Sequence, residues 1–256
     1  MDSTGSNTFM THDILYPTGC PMKDSKYEAV IFDFFGTLVP NYRVNAYRKT
    51  LGAMAEELGI PSDFFIEKWL ATFYERAIGK ISDVRSNIHM ICNEFGVSPD
   101  AEQYEAAIET RLEYAKENTQ PKKGAIEILA QIKALGFKLG LITDCASELP
   151  ELWDETEFAS YFNVTLFSCL ERIKKPDPVI YKKACSLLDV APQKCLYLGD
   201  GGSNELTGAK NVGMKPVLIF DNREHGNPNT HRVDGEEWEG TVIYSFSEVL
   251  GLLNKV

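Results

Sequence analysis

Ala29–Phe32 is an unbroken apolar run that ends abruptly in Asp33, with Gly36 and Thr37 close behind. A carboxylate at the carboxyl end of a buried strand sits where open α/β sheets bind their ligands. Three later segments repeat the arrangement. GLITDCAS brings Thr143 to the end of a second apolar run, and a hydroxyl followed by free backbone amides holds an anionic oxygen. In IKKPDPVIY, Lys175 precedes Pro-Asp-Pro at a helix entrance. An ammonium there can neutralise an aspartate and a substrate anion crowded into one crevice. LYLGDGGSNELTGAKNVGM runs into Asp200, then glycines, then Glu205 on the first turn of a helix. Asp200 and Glu205, facing Asp33 across the sheet, make an oxygen-rich site for Mg²⁺, which takes few protein carboxylates plus waters. A dinucleotide fingerprint does not fit, because Asn204 stands where its third glycine belongs.

Taken in order, strand-Asp-x-x-Gly-Thr-Leu, the strand-terminal Thr-Asp, Lys-Pro-Asp-Pro-x-Ile-Tyr and Gly-Asp-x₄-Glu resemble motifs I to IV of the haloacid dehalogenase superfamily, over roughly residues 28–220. The resemblance implies Asp33 as nucleophile and metal ligand. It implies the Phe35 carbonyl, Asp200 and Glu205 as further Mg²⁺ ligands, Glu205 replacing the commoner aspartate. Thr143 and Lys175, with Gly36 and Asp144 beside them, become the holders of the transferring group. One residue departs from the pattern: phosphatases of the superfamily usually carry a second aspartate, the general acid and base, where this chain has Phe35. Its dehalogenases have a tyrosine there and need no such acid, because halide leaves unprotonated.

Three features favour a phosphatase over a dehalogenase. The dehalogenases generally lack the metal site that Asp200 and Glu205 keep, their second motif is Ser-Asn-like, and their cap supplies an arginine beside a tryptophan. Here Leu70 follows Trp69, and Arg43, Arg76 and Arg85 read as solvated helix charges. His89 reads as a polar helix position. The order of expectation is a Mg²⁺-dependent hydrolase of a small phosphorylated metabolite, then a 2-haloacid dehalogenase using Asp33, then a non-catalytic binder of phosphorylated ligands. Cys145 invites a thiol-phosphatase reading, but that chemistry needs a loop arginine and position 151 is Glu151, so Cys145 reads as packing.

These residues require an α/β core with a doubly wound, mostly parallel sheet. Apolar runs predict strands at 137–143, 164–168, 195–199, 216–220 and 241–244, separated by helical periods, with Asp177 and Pro178 as a cap and first-turn pair and a last helix at 247–253. Between the first two strands, apolar residues at helical spacing predict four successive helices, the second capped by Ser62. A right-handed crossover needs only one helix, so residues 42–118 read as an inserted helical domain, where the resembled family carries its cap. Residues 28–41 and 119–256 form the core, residues 1–27 a loose arm, and the polar stretch 221–240 follows no period.

A chain of 256 residues, 44% hydrophobic and 25% charged, buries a full core. A net charge of -11 argues against nucleic-acid and acidic-membrane partners, leaving a small-molecule substrate. No apolar run approaches the roughly 18 residues that span a bilayer, and the amino terminus lacks the features of a secretory signal, so the expected location is the cytoplasm. Six cysteines without C-x-x-C spacing read as free thiols.

Overall fold

The structure, a computed structural model, describes residues 25–231 and 235–254. The expected loose arm falls almost wholly outside these residues, as does Cys20. The strands are β1 (Ala29–Phe32), β2 (Lys138–Thr143), β3 (Val164–Phe167), β4 (Cys195–Gly199), β5 (Lys215–Ile219) and β6 (Thr241–Ile243). All pair in parallel, in the order β3-β2-β1-β4-β5-β6. The chain winds outward from β1 through β2 to β3, then crosses back to β4 on the other side. The strand order therefore reverses between β1 and β4, and in an open α/β sheet such a switch point opens a crevice at the carboxyl ends of the strands.

Successive strand residues face opposite layers. Val30, Phe32, Leu141 and Leu198 pack with Ile128 and Leu129 of α6 (Ala125–Ala134), Leu149 of α7 (Glu148–Leu152) and Val249 of α11 (Glu248–Leu253). Ile31 and Tyr197 pack on the other face with Ile180 and Tyr181 of α9 (Pro178–Leu188) and Leu206 of α10 (Glu205–Asn211). A short helix, α8 (Ser168–Glu171), follows β3 directly, so Ser168 opens a helix where the sequence suggests a strand end. The Asp177 carboxylate caps α9 by accepting from Val179 N at 2.9 Å, with Pro178 at the first helical position as expected.

Between β1 and β2 lie α1 (Val44–Glu57), α2 (Ser62–Ala71), α3 (Phe73–Ala77), α4 (Val84–Phe95) and α5 (Ala101–Glu117). This insert has its own hydrophobic cluster, centred on Leu51, Met54, Phe65, Trp69 and Ile88. It holds five helices rather than four, because the second breaks at Thr72. The Thr72 hydroxyl bonds back to Trp69 O at 2.9 Å and also to Asn87 Oδ1 at 3.1 Å, local bonding that competes with the helical ladder. Ser62 opens α2 from inside, after Pro61, and makes no capping bond.

Candidate active site

The sheet register sets the site. Phe32 lies beside Leu141 on one side and Leu198 on the other, so Asp33, Asp144 and Asp200 leave the sheet at a common edge. Asp33 is held there by its backbone N–H donating to Leu198 O at 2.9 Å. The loop before α9 brings in Lys175, whose backbone N–H donates to Asp144 Oδ1 at 2.9 Å. Its ammonium lies 2.5 Å from both Asp33 Oδ1 and Glu205 Oε2, whereas Lys174 stays outside this cluster, 3.4 Å from Asp144 Oδ2. Asp144 is thus a tether for the lysine loop as well as part of the cavity wall.

Asp33, Asp200 and Glu205 place carboxylate oxygens within 4.8 Å of one another. An all-oxygen set of this kind suits a hard divalent cation. Burial, and then mutual repulsion, raise the Asp33 and Glu205 carboxyls above the ordinary range, with Lys175 opposing. Burial alone would lower Lys175, but Asp33 and Glu205 hold it well above the usual lysine value. Asp33 lines the cavity, and its Oδ2 is buried with no hydrogen-bond partner among the described residues. Glu205 is differently placed: Oε2 accepts from Lys175 and from Tyr197 OH at 2.8 Å, and Oε1 accepts from Gly201 N at 2.9 Å.

Thr143 and Gly36 behave differently from expectation. Thr143 is fully buried, its hydroxyl has no partner among the described residues, and Asp144, Cys145 and Ala146 rather than Thr143 line the cavity. Gly36 supplies space: at φ +82° a side chain is strained, and a Cβ would stand 2.3 Å from Asn41 Nδ2 and Asp200 Oδ2. That vacancy lets Asn41 Nδ2 donate to Asp200 Oδ2 at 2.9 Å, while Gly202 N donates to Oδ1 at 2.8 Å.

The helical insert roofs the crevice into a cavity of about 530 Å³. Arg76, expected in solvent, is 4% exposed and lines it, as does Arg111 at 3%. Arg76 donates to Trp69 O at 3.0 Å and lies over the Trp69 ring. Arg111 Nε comes within 2.8 Å of Glu148 Oε1 on α7, an ion pair without hydrogen-bond alignment, and Arg111 Nη1 has no hydrogen-bond partner among the described residues. Burial would raise the Glu148 carboxyl, yet Arg111 and Arg76 together hold it below its ordinary value. Phe35 points into the same space and carries a stack of rings: Tyr42 at 5.0 Å, then Tyr47 and Tyr114 at 5.5 and 5.6 Å from Tyr42. Arg85 pairs with Glu105 and His89 with Asn93 on the exposed side, outside the cavity.

Residues 221–231, which the sequence leaves without a place, wrap the site. Glu224 accepts from Asn41 N at 3.1 Å and pairs with Lys122 at 3.0 Å, and His225 Nε2 lies 3.2 Å from Asp200 O. Farther along, Asn229 O accepts from Val44 N at 2.9 Å, Arg43 donates to Thr230 Oγ1 at 2.8 Å, and His231 N donates to Tyr42 O at 2.8 Å. His231 lines the cavity with its ring edge-on to Phe73. The sequence missed Asn41, Arg111, Glu148, Glu224 and His231. Only Glu148, close behind Thr143, had a signal in its proximity to a motif.

A family model described as haloacid dehalogenase-like hydrolase matches residues 27–213. The chain belongs to the haloacid dehalogenase-like hydrolases. Among its relatives, the glyceraldehyde 3-phosphate phosphatase of Pyrococcus abyssi is 30% identical over 206 residues, covering 74% of this chain and 80% of the relative. The phosphoglycolate phosphatase of Nitrosococcus oceani is 26% identical over 89% of this chain and 97% of its own. The 2-haloacid dehalogenase of Pseudomonas syringae pv. Tomato DC3000 superposes with a TM-score of 0.64, covering 89% of this chain and 98% of that one, at 22% identity. This last likeness is one of fold. As a member of this family the chain is a hydrolase, and no helix among the described residues is long and apolar enough to cross a membrane.

Proposed function

We propose that this hydrolase is a Mg²⁺-dependent phosphatase of a small phosphorylated metabolite, working through an aspartyl-phosphate on Asp33. The observation that carries this reading is the buried all-oxygen cluster of Asp33, Asp200 and Glu205, whose ligand atoms lie within 4.8 Å of one another. The relatives named as phosphatases point the same way. Asp33 and Asp200, with the Phe35 carbonyl that the family pattern implies, are the proposed ligands. Glu205, whose oxygens are already engaged, sits behind Lys175 and orients it. When bound, Mg²⁺ supplies a Lewis acid that draws charge from the phosphoryl oxygens.

The residues divide the work as follows. Lys175 holds one phosphoryl oxygen and steadies the Asp33 carboxylate. Asp33 attacks phosphorus, the ester oxygen departs with the bond pair, and water then displaces Asp33 to release phosphate. The helical insert acts as a cap that excludes bulk water, which strengthens every charge interaction below it. Arg76 and Arg111 against Glu148 leave +2 - 1 = +1 on the cap side, and the unpartnered Arg111 Nη1 suits an anionic group at the far end of the substrate.

The aromatic Phe35 favours a second reading, a dehalogenase needing no acid. A panel of phosphate esters and 2-haloacids, each assayed with Mg²⁺ and with EDTA, separates the two. Phosphate release that needs Mg²⁺ is expected, and halide release untouched by EDTA would replace the phosphatase reading with the dehalogenase one.

A further inference from the structure

An alkoxide is a poor leaving group, and Phe35 stands where the family pattern keeps its acid. The Phe35 ring is committed to the stack on Tyr42, so the proton must come from elsewhere in the cavity. The other acidic groups on the cavity wall are engaged: Asp144 with the Lys174 ammonium and the Lys175 backbone N–H, Glu148 with Arg111, Glu205 with Lys175, and Asp200 with Asn41 and the Gly202 N–H, as a proposed metal ligand. Burial pushes Tyr42 above its ordinary value, away from neutrality.

We propose that His231 is the general acid and base of this enzyme, donating to the departing ester oxygen and then accepting from the hydrolytic water. The proposal rests on the phosphatase reading. In the first step the Asp33 Oδ–P bond forms, the P–O ester bond breaks, and the imidazolium proton goes to the leaving oxygen, giving the alcohol and neutral imidazole. In the second, a water oxygen bonds to phosphorus, the P–Oδ bond breaks, and the water proton passes to the imidazole, giving phosphate, the Asp33 carboxylate and imidazolium. The cycle closes without another reactant.

His231 lines the same cavity as Asp33, Lys175 and Phe35. Neither ring nitrogen has a hydrogen-bond partner among the described residues, so both are available to a ligand. The ring is positioned all the same. Its backbone N–H is bonded to Tyr42 O, the preceding Thr230 and Asn229 are tied to Arg43 and Val44, and the ring stands at 87° to that of Phe73. This strap lies past residue 213, where the family-model match ends, so its histidine is not one of the matched positions. Among the described residues, Phe73 and Arg76 of α3 and the Tyr42 backbone stand against His231. Burial first, and Arg76 next, lower the His231 pKa from its ordinary 6.5. A phosphate dianion in the cavity offsets Arg76 and favours the protonated ring when a proton is needed.

The test compares leaving groups within one variant. With Mg²⁺ present, kcat/KM is measured for p-nitrophenyl phosphate and for the fastest of a small panel of alkyl phosphates, in the unmodified enzyme and in His231→Gln. General acid catalysis is typically worth ~10²- to 10⁴-fold, so the alkyl-to-aryl ratio of kcat/KM should fall by about 10²-fold in the variant. The ratio of unmodified to variant kcat/KM on the alkyl ester should also shrink as pH rises through the His231 pKa, a comparison in which titration of the substrate cancels. Equal losses on both esters, no loss on either, or an unmodified enzyme that cleaves the aryl ester alone would overturn the role of His231. Metal-dependent aryl hydrolysis would still uphold the phosphatase reading in each of those cases. The comparison is made for a variant whose Tm matches that of the unmodified enzyme, so that a folding defect, which lowers both esters together, is not counted as an equal loss.

Discussion

Asp33 has one oxygen on Lys175 and the other buried without a partner, an arrangement that leaves a lone pair for phosphorus or metal. Asp33→Asn keeps the shape and removes the proposed nucleophile, so turnover should vanish while the fold persists. Residual steady-state phosphate release above background would end the covalent mechanism. Lys175 and Lys174 are adjacent in sequence but different in surroundings, and only Lys175 reaches Asp33. Lys175→Ala should therefore lower kcat/KM far more than Lys174→Ala, and matching losses would contradict the assignment. The choice between these lysines was legible in the sequence because Lys-Pro-Asp-Pro sets the register. Arg76 and Arg111 were not, since an arginine on an amphipathic helix reads as a solvated charge until the helix is known to roof a cavity. Phe35 was legible as a missing acid but not as the foot of a stack running into the insert.

The strands were legible as elements because a parallel sheet covered on both faces leaves apolar runs that nothing else in the chain imitates. The strap 221–231 was not, because it is held by scattered polar contacts to Asn41, Tyr42, Arg43 and Val44 and follows no period. Its partners form the link from β1 into the first helix of the insert, so strap and insert are mechanically joined. A buried contact between insert and core is the ion pair of Arg111 of α5 with Glu148 of α7, beside the exposed pair of Lys116 with Glu155. Breaking a buried pair on one side typically costs ~3–5 kcal/mol, because the remaining charge stays buried. Glu148→Gln should show a loss of that order in denaturant unfolding at pH 7. The folded Glu148 pKa lies below its ordinary value of 4.5. Its contribution is therefore fully present above that value and is lost as pH falls through the folded pKa. The gap between unmodified protein and variant should close in acid, and a pH-independent gap would mean that the variant suffers from packing rather than charge.

At the scale of the whole molecule, a net charge of -11 means that Mg²⁺ will associate with the surface as well as with the crevice. Thermal stability distinguishes the two. A ligand that binds only the folded state adds about 2.7 kcal/mol when present at 100 times its Kd. In a chain of this size each kcal/mol moves Tm by roughly 2–4 °C, so saturating Mg²⁺ should raise Tm by roughly 5–10 °C over the EDTA-treated protein. Surface association is diffuse and weakened by added salt, whereas the Asp33, Asp200 and Glu205 cluster is buried and screened far less. Asp200→Asn removes one of the proposed anionic ligands. With Mg²⁺ the Tm of this variant should rise only by the surface part of the shift, measured against the same variant in EDTA. The Mg²⁺ concentration that half-saturates any remaining activity should rise as well. Equal Mg²⁺-induced shifts in the two proteins at 0.15 M salt would place the metal elsewhere and remove the chief support for hydrolysis of a phosphate ester.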